Sequence, residues 1–572
     1  MSKIKLTVGI DLGTTNSECY IYSDVTKQPE LQYLHGSLSG IYPSVVYYDK
    51  TADKFLVGER VKNNADLYMD AWKHMKIRMS EGEFYTEEYN GIKLNPQQFS
   101  SKVLEYIKEG LDELYPDNEI EDIVITVPAY FKDNERRSTE NAARDAGFNP
   151  THELRLINEP TSATLAYGEE VDEGYNVLAF DLGGGTFDAT LLECENVDGV
   201  RFYQAVRTDG CVIGGKNFDE AISEFLYNTY IQTAEGSKYE EDAEFKKEFI
   251  KRSYGISEKI KISLSKQDEV KGVDMVRVQG QRIIVEYTIS RTHFENMIAP
   301  LVVKTVETAR KVVGGREIQR IILVGGSTRI PLVGRMINDA FPDVEIEDKD
   351  PDLIVARGAA IQASIMGNKK ESFLNEILTN PLGITVAGGF VSYMMLENTP
   401  IPYEVVERFY TANKGQKSVT AYVVQGKDIN VEGSENQVLG KIVLENFHET
   451  DEKIPVDVTL RVDNSGKIGV TAKEVHEDGA EFFDTFQIGK TASVQKANFG
   501  ELVKAANTFF KNNPREKLKK AEEEILGKLL ETETPIATWI IDRLENQEEF
   551  IKSDDEYRAL LYRAIQAINQ GL

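Results

Sequence analysis

The chain's 572 residues are enough for about two to four domains, each with its own core. Charged residues make up 28% and the hydrophobic set 41%, a globular balance that excludes a disordered or fibrous chain. With 66 basic against 94 acidic side chains the formal net charge is −28, so general binding to nucleic acid or to anionic membrane surfaces is disfavoured, although a local basic cleft is not.

Three cysteines, Cys19, Cys194 and Cys211, fit neither a disulfide framework nor a zinc site, which points to a reducing cytoplasm. The opening Met1 to Gly13 has too short an apolar run for a signal peptide, and no stretch of about 18 apolar residues follows. A soluble cytoplasmic chain is expected.

Up to about residue 370, β-branched runs alternate with helical periodicity, the rhythm of a layered α/β unit. Val8 to Asp11, Ile123 to Val127, Val177 to Asp181 and Ile321 to Val324 read as strands, and Ser100 to Leu114 and Phe245 to Leu264 as amphipathic helices. From 380 to 490 the sequence becomes alternating strands cut by turn signals such as Asn413-Lys414-Gly415 and Asp463-Asn464-Ser465-Gly466, which predicts a β-sandwich. Helical periodicity returns from 491 to 572, with Pro514 and Pro535 dividing the tail into pieces.

One motif occurs twice. Val8 to Ser17 and Leu178 to Asp188 both read as strand, aspartate, glycine-rich turn and return strand. A single turn of this kind is as readily an ordinary tight hairpin, but two copies imply two related lobes. Glycines let a polyphosphate approach backbone N–H groups, and Thr14, Thr15 and Thr186 add hydroxyl donors. Asp11, Asp181 and Asp188 stand beside the turns, and clustered carboxylates facing phosphates call for hydrated Mg²⁺. A third strand and glycine turn, Ile321 to Arg329, offers backbone for a flat adenosine and a guanidinium at Arg329 to stack on the base. Six histidines without metal spacing and the absence of a G-x-S-x-G elbow leave phosphoryl transfer as the reaction to expect.

At these residues the chain resembles the DnaK-type heat-shock protein 70 chaperones, in the style of compact bacterial HscC-like members. The resemblance rests on Gly9 to Ser17, Val127-Pro128-Ala129-Tyr130-Phe131, Ile157-Asn158-Glu159-Pro160-Thr161, Asp181 to Asp188 and Val324 to Pro331. It implies a two-lobed actin-like (ribonuclease H-like) ATPase domain at 1–370, a linker at 371–379, a β-sandwich for peptides at 380–490 and a helical lid at 491–572. It further implies ATP or ADP with Mg²⁺ and K⁺ as cofactors. Unfolded polypeptides would be clients, with a J-domain co-chaperone and a nucleotide exchange factor as partners.

Residue by residue, the resemblance assigns phosphate contact to Gly13, Thr14, Thr15, Asn16, Gly183, Gly184 and Gly185, and Mg²⁺ through its waters to Asp11 and Asp181. Thr186 and Asp188 would place a monovalent ion and the attacking water. Lys76 would be the catalytic lysine, with Lys73 as its rival three residues earlier, and Glu159 would assist. Around adenosine it places Gly214, Gly215, Glu258, Lys261, Ser265, Gly325, Gly326, Ser327, Arg329 and Asp352. Pro128, Arg136, Arg155 and Glu376 match relay and co-chaperone positions.

The peptide pocket would be Ile384, Ala387, Phe409, Ala412, Val419 and Ala421. Ala387 and Ala421 are smaller than the residues usual there, and Asn375 interrupts the family's leucine run in the linker. The implied function is an ATP-driven chaperone. A nucleotide-holding regulator with little turnover and a small-molecule kinase of the same superfamily are the alternatives.

Overall fold

The computed structural model describes residues 3–486 apart from 65–66, 69, 168–174, 198–199, 349, 369–371, 387–389, 429–430, 432–435, 446, 448–449 and 476–480. The expected lid at 491–572 and the pocket residue Ala387 lie outside the described residues. The chain divides into two units: residues 1–131 with 138–375, and residues 132–137 with the chain from Glu376 onward.

In the first unit, one sheet has the order Glu153–Asn158, Asn118–Val127, Ile4–Asp11, Asn16–Ser23, Gln28–Leu31, with Ile41–Pro43 also pairing Asn16–Ser23. The other runs Glu345–Glu347, Arg320–Val324, Tyr175–Leu182, Phe187–Val197, Val200–Cys211. Each is built around an antiparallel hairpin whose first strand is flanked by a parallel strand, Asn118–Val127 in one case and Arg320–Val324 in the other. The duplicated motif is therefore a duplicated lobe.

These central strands read as near-continuous apolar runs because both faces are covered. Val124 and Ile157 of the first sheet and Val177, Ala179 and Ile322 of the second join one apolar cluster with helices Glu159–Tyr167 and Ile354–Asn368. Ala356, Ala359, Ala360 and Ala363 keep the second helix thin. At Gly358 even a methyl would not fit, since a Cβ there would lie 1.7 Å from the Ser162 carbonyl oxygen. This tight crossing fixes Glu159, at the first turn of its helix, relative to both hairpins.

The helix expected from Ser100 begins earlier, at Pro96, because Asn95 caps it: the Asn95 side chain accepts from Gln98 N while Gln98 reciprocates to Asn95 N. Its buried face is Phe99, Val103, Leu104, Ile107 and Leu111. Helices expected at 245–264 and 332–340 are Ala243–Leu264 and Pro331–Ala340.

The expected linker contains a strand, Ser372–Ile377, whose residues up to Asn375 run parallel to Val200–Cys211. The edge of that sheet offers unpaired backbone groups, and an extended segment satisfies them whatever its side chains. In the second unit, Glu376 and Ile377 pair with Ile401 and Pro400.

The second unit holds two four-stranded antiparallel sheets, Phe390–Met395, Leu382–Val386, Ser418–Gln425, Gln437–Glu445 and Tyr403–Tyr410, Pro455–Val462, Ile468–Val475, Glu481–Phe486. Strict alternation in Pro455–Val462 sends Val456, Val458, Leu460 and Val462 into one cluster with Leu382, Ile384, Val423 and Ile442 of the other sheet. The predicted turn at Asp463–Gly466 is present: Asp463 Oδ1 accepts from Ser465 N and Lys467 N, and Gly466 takes a φ of 74°.

Candidate functional site

Both glycine turns lie at the ends of the central hairpins, and they meet. A Cβ on Gly184 would fall 2.1 Å from Thr15 Oγ1, so the second turn approaches the first more closely than any side chain allows. Ser44 braces the first turn, its N–H donating to Thr15 O and its hydroxyl to Gly13 O. In the second, Gly183 N donates to Thr186 O.

Strand register then sets acid against acid. Asp11 is directly opposite Glu18, and Asp181 directly opposite Asp188, so each pair shares one face of its hairpin. Like charges so placed repel. Glu18 was not anticipated as a site residue, yet it is only 3% exposed. The signal lay in the repeat: Glu18 follows Asp11 by the same seven positions that separate Asp188 from Asp181.

Burial is the main cause that pushes the Asp11 carboxyl up to about 7, with Glu159 adding to it while Lys76 and a 2.7 Å hydrogen bond from Thr126 Oγ1 oppose it. Asp181, Asp188 and Glu18 are all raised well above the ordinary carboxylate range, again chiefly by desolvation and then by neighbouring acids. Asp188 Oδ1 is buried with no hydrogen-bond partner. The cation among them is Lys76, 2% exposed, whose Nζ lies 2.7 Å from Glu159 Oε1, donates to the Leu12 carbonyl and sits 5.7 Å from the Phe131 ring centroid. Lys73 is elsewhere, on the strand Trp72–Lys73, where Glu258 and Lys62 are the charges it feels.

The positions expected around adenosine gather at the second hairpin. Gly215 N donates to Gly183 O, and Ser327 Oγ donates to the same carbonyl at 2.9 Å. Gly325 N donates to Pro351 O, and Gly326 follows as the first residue of a short 3-10 helix. Arg329 forks onto Asp352 Oδ2 at 2.8 and 3.1 Å, so one edge of the guanidinium is engaged while the group remains half exposed. Gly214 precedes the helix Gly215–Ile231. Lys261 pairs with Asp219 at 2.8 Å, Glu258 with Lys62 at 3.2 Å, and Ser265 Oγ donates to Lys261 O. Thr14, Asn16, Gly13 and Gly185 all lie in or beside the two turns.

Of the other expected positions, Pro128 is buried at the end of strand Asn118–Val127, and Arg155 pairs with Glu153 at 3.0 Å. In the second unit, Arg136 is buried, and Glu376 is the charge that most opposes its desolvation. There, Asp133 Oδ1 accepts from Ile468 N at 2.9 Å and Arg137 donates to Ile468 O at 2.8 Å. Ile384 and Ala421 are buried, Phe409 and Val419 are half-buried against the same apolar cluster, and Ala412 is exposed.

Two lobes of matching topology, closed on facing glycine turns above buried acids, define a two-lobed actin-like ATPase architecture. The family model described as Hsp70 protein matches residues 68–570. The chain belongs to the Hsp70 family, whose members are chaperone ATPases that use nucleotide and Mg²⁺. Among the described residues no helix is long and apolar enough to cross a membrane.

Proposed function

We propose that this protein is an ATP-dependent chaperone that binds extended apolar segments of unfolded polypeptides, with hydrolysis of ATP by water controlling how tightly they are held. The observation that carries the nucleotide half is the contact between Gly184 and Thr15 over paired buried acids.

The acids fit a hydrated divalent ion. Among the described residues no three His, Cys, Asp or Glu side chains converge as direct metal ligands, which suits Asp11 and Asp181 holding Mg²⁺ through its waters. Bound there, Mg²⁺ supplies charge neutralisation at the terminal phosphates. Ionised Asp11 and Asp181 orient the hydrated ion, and the N–H groups of the two turns hold the phosphate oxygens. Lys76, anchored by Leu12 O and Glu159, offsets the charge that develops on the γ-phosphate and aims the attacking water. Asp188 Oδ1, buried without a partner, accepts from that water.

In the second unit, Ile384, Phe409, Val419 and Ala421 line the pocket for alternate apolar side chains, while strand-type backbone bonds hold the segment extended. The small Ala421 leaves room for bulkier clients. Communication requires that ATP and peptide each prefer different global states. Dissociation of a fluorescent apolar heptapeptide from the full chain tests this. Release should be at least about tenfold faster with Mg-ATP than with Mg-ADP. Equal rates would refute the coupled chaperone reading.

A further inference from the structure

A hairpin of the second lobe, Glu269–Val278 and Gln281–Ser290, forms a two-stranded sheet of its own. Strict alternation gives it two faces. Val276, Val278, Ile283, Val285, Tyr287 and Ile289 point inward and join the apolar cluster that contains Leu178 and Phe180 of the central hairpin. The opposite face presents Val273, Met275, Arg277, Arg282, Ile284 and Glu286, all exposed.

Solvation alone does not account for that outer face. Val273, Met275 and Ile284 are 63%, 45% and 54% exposed, and Met275 stands directly opposite Ile284, so the three make one apolar patch. Strands favour β-branched residues, which explains Val273 and Ile284 but not Met275. At one end of the patch Arg277 is directly opposite Arg282, and like charges so placed repel. At the other end Glu286 is opposite Val273. Among the described residues no hydrogen bond or ion pair engages Arg277, Arg282 or Glu286. Apolar side chains set between unanswered charges of opposite sign are the makings of an interface.

The order of the charges selects the occupant. On the strand Gln281–Ser290, Arg282 and Glu286 lie two residues to either side of Ile284, about 7 Å each way. A two-fold axis through Ile284 therefore sets Arg282 of one copy over Glu286 of the other, twice, and Ile284 over itself. Stacked sheets lie about 10 Å apart, a gap that an arginine and a glutamate span between them. The same operation lays Met275 on Met275 and brings Arg277 over Val273, beside the facing Glu286. An unrelated acidic partner would answer the arginines and leave Glu286 without a cation. A face complementary to itself in both charge and apolar position fits an isologous contact.

We propose that the outer face of this hairpin, centred on Ile284, is the contact of a homodimer in which Arg282 of each copy pairs with Glu286 of the other. A two-stranded face is smaller than the interfaces of permanent dimers, so association is weak and follows concentration. The dimer does not depend on the nucleotide reading.

Sedimentation velocity of the full chain, from about 5 to 500 µM at about 0.15 M salt, tests it. Wild type should pass from monomer to dimer with its midpoint at about 100 µM. Ile284→Glu should stay monomeric throughout, with a thermal midpoint within about 2 °C of wild type because the side chain is exposed.

Arg282→Glu and Glu286→Arg should each weaken association at least about tenfold, since each sets like charges face to face. The double variant Arg282→Glu/Glu286→Arg should return to within about threefold of wild type. Mixed in equal amounts, the two single variants should associate at least as tightly as wild type, because every acid then faces an arginine. A wild type that remains monomeric at about 500 µM would overturn the proposal. So would a dimer indifferent to Ile284→Glu, or a charge exchange that restores nothing.

Discussion

Truncation of Lys76 to alanine is the most informative single change, because the lysine is the cation that the buried acids share. Its side chain is 3% exposed and that of Glu159 13%, so the variant leaves Glu159 buried without its partner beside Asp11, Asp181 and Asp188. Breaking a buried pair costs about 3–5 kcal/mol, part of it regained as the acids take up protons. In a unit of this size that lowers the first unfolding midpoint by about 5 °C.

The kinetic loss should be larger. Removing a donor aimed at developing negative charge costs about 10² to 10³ in rate. Single-turnover hydrolysis in a preformed complex with ATP measures it without interference from release. Lys73→Ala, whose charge acts near Glu258 rather than among the acids, should hydrolyse within about threefold of wild type. Wild-type hydrolysis by Lys76→Ala, or an equal loss in Lys73→Ala, would refute the assignment.

Other outcomes follow from the same geometry. A carboxyl raised by folding holds its proton longer than in the unfolded chain, so the nucleotide-free protein should lose stability as pH rises from about 4 toward the folded value of about 7 for Asp11. Midpoints measured from pH 5 to 8 should fall less steeply in Asp11→Asn; an unchanged slope would contradict the burial argument. Thr126→Val removes the hydrogen bond that lowers Asp11, which should cost about 1 kcal/mol and move the half-loss of Mg-nucleotide binding to higher pH. A shift to lower pH would contradict that role. Gly184→Ala should cost about 1–3 kcal/mol and weaken nucleotide binding at least about tenfold, and Thr15→Ala in the same chain should restore stability more than affinity. Val419→Ser should weaken apolar peptide binding by about tenfold and leave basal hydrolysis within about twofold.

The site was legible where glycine and aspartate recur at fixed spacing, because the turns admit little else. Asp11, Asp181 and Asp188 could therefore be located from sequence and are found together. Lys76, preferred over Lys73 from the resemblance, lies with Glu159, whereas Lys73 feels Glu258 and Lys62, and the left-handed turn at His74 stands between the two lysines in the chain. Thr126 was invisible as a site residue, since a threonine inside a strand looks ordinary until pairing brings it to Asp11, whereas Glu18 was legible only through its repeat of the Asp181–Asp188 spacing. The helix boundary at Pro96 was readable in Asn95-Pro96 with Gln98 but was passed over for the apolar periodicity further on, and the strand at Ser372–Ile377 was hidden by side chains that do not alternate, because its pairing is backbone to backbone.

The central claim is that facing glycine turns and buried acids hold a magnesium nucleotide. Calorimetric titration of the full chain with ADP, with and without Mg²⁺, tests it most directly. One-to-one binding at about micromolar affinity is expected with the ion, weakened at least about tenfold when Mg²⁺ is withheld. Absence of saturable binding with Mg²⁺ present, or affinity indifferent to the ion, would contradict the account.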